Sequence, residues 1–176
     1  MPSLVGSEMC IRDRIINKKI KDNNPDFLNV DSVDGYAMLI NKNKFINNIY
    51  FDENFFLYLE NDDLCLRKKK ENNKIYVAKK AKVQHLGARS HSPVYEKEIE
   101  FSRNWHWMWS KFYFNKKHYG YTKALFINSP TLITSLVKFF FYLVVCNKFK
   151  KKIYTMRFLG LLNSMFGKKS WYRPKI

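Results

Sequence analysis

The sequence predicts an α/β domain followed by amphipathic C-terminal helices, and three observations carry that prediction. Short apolar runs bounded by polar turns recur between residues 30 and 86, as strands around a short helix would. After them, apolar residues repeat at three- and four-residue steps, the period of a long amphipathic helix. From Lys123 onward the chain turns hydrophobic and basic. Its 176 residues suffice for one ordinary domain with its own core, and plentiful aromatics with few Gly and Pro argue against disorder over the bulk of the chain.

The elements follow in order. MPSLVGSEMCIRDR resembles the translated read-through of a sequencing adapter and lacks the regions of a signal peptide. Residues 1–14 are therefore set aside as an expected non-native segment, and the natural N-terminus is expected upstream. Residues 15–29 are polar and Asn/Lys-rich, with Pro25 against any helix, and read as a linker. VDSVDGYAMLI reads as a central strand, KNKFINNIYFDENFF as a short helix and turn, and Asn61 to Lys70 as a helix with Leu64 and Cys65 inward. IYVA and AKVQHL read as two further short strands. Val94 to about Tyr113 reads as the long helix, with Phe101, Trp105, Met108 and Phe112 on one face and Trp107 off it. A domain over 30–121 is thus followed by a helical extension over 122–176. There, Pro130 and Lys138 interrupt ALFINSPTLITSLVKFFFYLVVC, so an interfacial or re-entrant helix is expected in place of a span. A last helix is expected to align Met156, Leu159, Leu162 and Met165 or Phe166.

Charge is distributed unevenly. Residues 101–176 carry 15 Lys and Arg and no Asp or Glu, against 17 and 15 in the first hundred. A near-neutral part joined to a basic, aromatic part suits an anionic partner, either phospholipid head groups or nucleic acid. Cys10, Cys65 and Cys146 are odd in number and lack ligand spacing, which points away from a disulfide framework or zinc site and toward a reducing, cytosolic setting.

The chemistry-bearing cluster is Glu60, Asp62 and Asp63, expected where an apolar strand gives way to a helix. Carboxylates there are stabilised in the charged form by exposed N–H groups and the helix dipole, and Asn61 suits the cap itself. Such acids serve either as base or ligand, or merely as caps, with Asp63 pairing Arg67 four residues on.

Four segments in order, DGYAMLI, FDENFFLYLENDDLCLR, QHLGARS and SRNWHWMWSK, give the chain a specific likeness over about residues 30–112. The sequence resembles the C-terminal half of inverting, family-two glycosyltransferases of the GT-A (Rossmann-like) fold, the branch with rhamnosyltransferase-like enzymes of surface-polysaccharide assembly. The resemblance implies that the acidic motif supplies the general base that deprotonates an acceptor hydroxyl. Many relatives have Asp where this chain has Asn61, and an amide cannot take that proton, so the role passes to Glu60 with Asp63 as its rival. It further implies that His85 helps hold a divalent metal (Mg2+ or Mn2+) beside the donor diphosphate, and that Arg89 and Arg103 contact phosphate. Asp34 and Gly35 would line the acceptor side; the plainer alternative is a core strand preceded by a turn. The family's nucleotide-binding half, ending in Asp-x-Asp, does not precede DGYAMLI here, so the chain alone is expected to be inactive.

The function that the resemblance implies is sugar transfer from a nucleotide-sugar donor to a lipid-linked or glycan acceptor, and the basic, hydrophobic tail is expected to hold the enzyme peripherally on the cytoplasmic face of an anionic membrane. The alternative is a basic membrane- or nucleic-acid-binding module without catalysis. Runs such as FFFYLVV, which have no role on a phosphate backbone, weigh against nucleic acid.

Overall fold

The computed structural model describes residues 26–45, 49–83 and 92–174. Two compact units divide the chain: Met1–Asp52 with Asn61–Leu86, and Glu53–Glu60 with Gly87–Ile176.

In the first unit, strand β1 (Phe27–Val30) pairs antiparallel with β2 (Ile75–Ala78), Phe27 opposite Ala78 and Val30 opposite Ile75. Helix α1 (Glu60–Lys70), which belongs to this unit from Asn61 onward, buries Leu64 and Cys65, as its pattern predicts, and Asn61 and Asp63 with them. Its last turn carries Arg67 to Lys70, which favours the negative end of the helix dipole. The helix stops at Asn72, whose φ of 61° is left-handed, while the Asn73 N–H closes back on the Lys68 carbonyl. That pairing is a Schellman stop, and Asn tolerates its conformation better than most residues.

The second unit is helical: α2 (Glu96–Tyr119), α3 (Tyr121–Val144) and α4 (Lys148–Met165). Pro93 opens a short 3-10 turn that leads into α2, and Glu96 and Glu98 occupy the first turn of α2. Gly120 alone separates α2 from α3; its φ of 88° requires a residue without a Cβ. Two buried clusters join the helices, Phe101, Trp105, Trp109 and Met156 in one, and Met108, Phe112, Ala124 and Leu161 in the other. The predicted stripe of α2 therefore forms the centre of this core.

The expected α/β half of a GT-A domain is overturned. Helices of 11, 24, 24 and 18 residues stand against two four-residue strands, so the described protein is mostly helical, with one two-stranded sheet. The run DGYAMLI is not a strand: it turns at Gly35 and Tyr36 and leaves Tyr36 and Leu39 exposed. Apolar alternation makes a strand only where a neighbour completes the ladder. β2 instead pairs with Phe27–Val30, whose first three residues fall in the stretch expected to be linker, and the Val33 carbonyl is satisfied by the Asn61 side chain. Residues 81–83 are not strand either, and the rest of AKVQHL, like residues 1–25, lies outside the described residues.

The face expected of α4 is also displaced. Met156 is buried, but its companions are Gly160, Leu161 and Ser164, while Leu159 is 39 % exposed and Phe166 73 %. The reason is close approach: a Cβ at Gly160 would lie 2.2 Å from the Trp105 carbonyl oxygen, so the α2 and α4 backbones meet where a side chain is missing. The basic tail packs as well. Trp109 Nε1 donates to the Lys168 carbonyl at 2.9 Å, and Tyr172 stacks on Trp105.

Candidate functional site

The segment before the acidic motif is held side chain by side chain along α2. Phe55 packs edge-on to Tyr113, Phe56 lies against His106, Tyr58 meets Trp107 edge-on, and the Ser110 hydroxyl donates to the Leu57 carbonyl at 2.7 Å. Trp107, off the main stripe of α2, is taken up by the Tyr58 contact. The segment bends where a strand was expected, and both Tyr58 (φ 69°) and Leu59 (φ 66°) are left-handed just before Glu60. Two consecutive non-glycine residues in that region cost roughly 1–2 kcal/mol each, strain that the aromatic anchors must hold.

The four residues Glu60 to Asp63 have different fates. Asn61 is buried, and its carboxamide Nδ2 donates to the Val33 carbonyl at 2.7 Å. Asp62 accepts from the Ser32 hydroxyl at 2.5 Å. Asp63 is fully buried, with Oδ2 2.9 Å from Arg67 Nε; the same guanidinium donates to the Tyr50 carbonyl at 2.6 Å. Asp63 thus sits in a buried ion pair of the kind that fails badly when one partner is lost. Glu60 differs: it is half-buried, and its Oε2 is buried without a hydrogen-bond partner among the described residues.

The other expected site residues are scattered. Asp34 and Gly35 lie exposed in a turn, where a Cβ on Gly35 would make only ordinary contact with Asn61, 3.7 Å away. Arg103 is half-buried on α2. His85 and Arg89 lie outside the described residues. Among the described residues no three His, Cys, Asp or Glu side chains gather as a metal-binding group; His85, to which the resemblance assigns the metal, lies outside them.

Other features escaped the sequence reading. His106 is fully buried, with Nε2 2.8 Å from the Tyr172 carbonyl and Nδ1 2.9 Å from the Ser170 hydroxyl; burial depresses its pKa to about 4. Its only sequence signal is its position inside the aromatic stripe. Burial pushes the Cys65 thiol up, consistent with an inert core residue. An apolar cavity of about 320 Å3 lies beside Phe112, Leu125, Phe126, Leu132 and Met165, and no residue lining it is titratable. Helix α3 is long and apolar enough to cross a membrane by length and composition, and only 17 % of its apolar window is buried.

No protein-family model, curated protein or solved structure matches this chain.

Proposed function

We propose that the chain is part of a glycosyltransferase that moves a sugar from a nucleotide-sugar donor to an acceptor at a membrane surface, with Glu60 as the general base. The observation that supports this best is the contrast within the motif: Asn61, Asp62 and Asp63 are engaged with the chain, whereas the buried Oε2 of Glu60 has no partner among the described residues. A buried acceptor left unsatisfied costs about 1–3 kcal/mol, and an acceptor hydroxyl supplies the donor it lacks. As that hydroxyl oxygen bonds to the anomeric carbon, its proton passes to Glu60 and the bond from carbon to the diphosphate oxygen breaks, inverting the centre. The strained backbone at Tyr58 and Leu59 accords with a carboxylate held for a task.

A second reading, a membrane-binding module without catalysis, is favoured by the exposed apolar side of α3. One experiment separates the two. The protein from the complete genomic reading frame is incubated with vesicles, a panel of nucleotide-sugars and a divalent ion, and nucleoside diphosphate release is followed. Release that depends on one donor supports transfer; vesicle binding with no release from any donor selects the module.

A further inference from the structure

Helix α3 buries only small or polar residues fully, with Leu125 and Leu132 partly packed beside them, and carries most of its large apolar residues on the outside. The positions it buries are Ala124, Asn128 and Ser135, small or polar. Phe126, Pro130, Ile133, Val137, Phe140 and Val144, at alternating four- and three-residue steps, are all exposed, Phe126 by 81 %, Phe140 by 54 % and Val144 by 82 %. That spacing draws one unbroken apolar stripe down the full length of the helix. A helix covering a water-facing core has the opposite arrangement, and an exposed stripe of this extent marks a surface that meets something apolar.

From this we infer that α3 lies in the plane of an anionic bilayer, its stripe immersed along its whole length and its polar side held by α2 and α4. The two features that interrupt the apolar sequence are both accommodated. Pro130 cannot donate to the Phe126 carbonyl, and the Ser129 hydroxyl does so instead, at 3.0 Å. Lys138 is turned onto α4, its ammonium 5.2 Å from the centre of the Tyr154 ring; Tyr154 stacks on Tyr142, which receives Lys150 at 5.3 Å. Charge identifies the occupant. The only acids on the three helices are Glu96, Glu98 and Glu100 in the first turns of α2, whereas Lys148 and Lys150 to Lys152 follow the end of the stripe. A rim of that sign suits phosphate head groups, each such Lys adding about 1 kcal/mol near an anionic surface.

The packing also argues against a crossing. α4 runs back along α3, with Tyr154 against Tyr142 near one end and Leu161 in the cluster with Ala124 near the other. A vertical α3 would draw its own Lys138 and Arg157 of α4, both at the Tyr154 ring, below the head groups into hydrocarbon, which membranes penalise heavily. Lying flat leaves those cations at the head-group level.

The inference rests on the membrane part of the reading above and is independent of glycosyl transfer, since it needs no donor. Single cysteines replace Phe126, Ile133 and Phe140 in the full chain carrying Cys10→Ser and Cys146→Ser; the buried Cys65 is kept. Each carries a fluorophore and is added to phosphatidylglycerol vesicles whose acyl chains bear bromine at a set depth. In-plane immersion gives deep quenching that agrees within about twofold at all three positions. Quenching that peaks at one position and falls severalfold at the others means a crossing and overturns the inference, as does no quenching at all. Labels already shielded from aqueous iodide without vesicles put a second copy of the chain on the stripe and also overturn it. Independently, Phe126→Asp/Phe140→Asp, with circular dichroism unchanged, should lower partition into the vesicles roughly a hundredfold; wild-type partition by that folded variant refutes the stripe. A transferase that fails to turn over leaves these readouts untouched, and a crossing leaves the transfer reading standing.

Discussion

Acidification reaches into the helical unit through His106. The ring is fully buried, donates from Nε2 to the Tyr172 carbonyl and accepts at Nδ1 from Ser170, so the fold selects the neutral imidazole. Desolvation lowers its pKa from the ordinary 6.5 to about 4; the Tyr172 carbonyl opposes that shift and the nearby Arg173 charge adds to it. Because the folded value is the lower one, the contribution is whole above pH 6.5 and is lost as pH falls toward 4, where the unfolded chain binds a proton that the fold refuses. At 1.36 kcal/mol per pH unit, the interval between the two values makes the loss from pH 7 to pH 4 about 3 kcal/mol. Denaturant titrations followed by tryptophan fluorescence at several pH values measure it, with His106→Gln as the reference that cancels all other titrating groups. The wild type should lose about 3 kcal/mol more than the variant over that interval. Parallel pH profiles for the two proteins, or an NMR titration of His106 centred near 6.5, would refute the reasoning.

Three further substitutions test the packing. Gly160→Ala should destabilise the helical unit by about 1–2 kcal/mol in thermal or denaturant unfolding, because the overpacking at the Trp105 carbonyl exceeds the ~1 kcal/mol that alanine gains in a helix; a more stable variant would mean that the backbones do not meet there. Asn61→Asp, the residue many of the resembled enzymes carry, should cost about 1–3 kcal/mol, since a carboxylate cannot donate to the Val33 carbonyl; unchanged stability in denaturant titration counts against that bond. Arg67→Met should cost about 3–5 kcal/mol by stranding Asp63, and Arg67→Met/Asp63→Leu should recover much of the loss.

How far the sequence disclosed this protein depends on where each residue finds its partner. The stripe of α2 was legible because Phe101, Trp105, Met108 and Phe112 lie on one face of one helix, and periodicity alone reports that. The Asp63–Arg67 pair was legible for the same reason, being four residues apart. DGYAMLI failed because a strand needs a partner that spacing does not name, and β2 pairs with Phe27–Val30. On α4 the large side chains misled: Met156, Leu159 and Leu162 suggest one face, but the helix turns the bare backbone of Gly160 to Trp105, a choice decided by the opposing surface. In the acidic motif the resemblance already passed the base from Asn61, an amide, to Glu60, with Asp63 as its rival. What the sequence did not show is that Val33 holds Asn61 and Ser32 holds Asp62, 28 and 30 residues away, while Glu60 Oε2 has no partner among the described residues.

The most direct measurement is steady-state turnover of the protein from the complete reading frame, comparing wild type with Glu60→Gln on the donor that supports release. Loss of a general base lowers kcat about 10²–10⁴-fold. The proposal predicts a fall in that range, a donor KM within about threefold of wild type and an unfolding midpoint unchanged, since Oε2 makes no bond to the described residues that the substitution could break. A Glu60→Gln enzyme with wild-type kcat would contradict it.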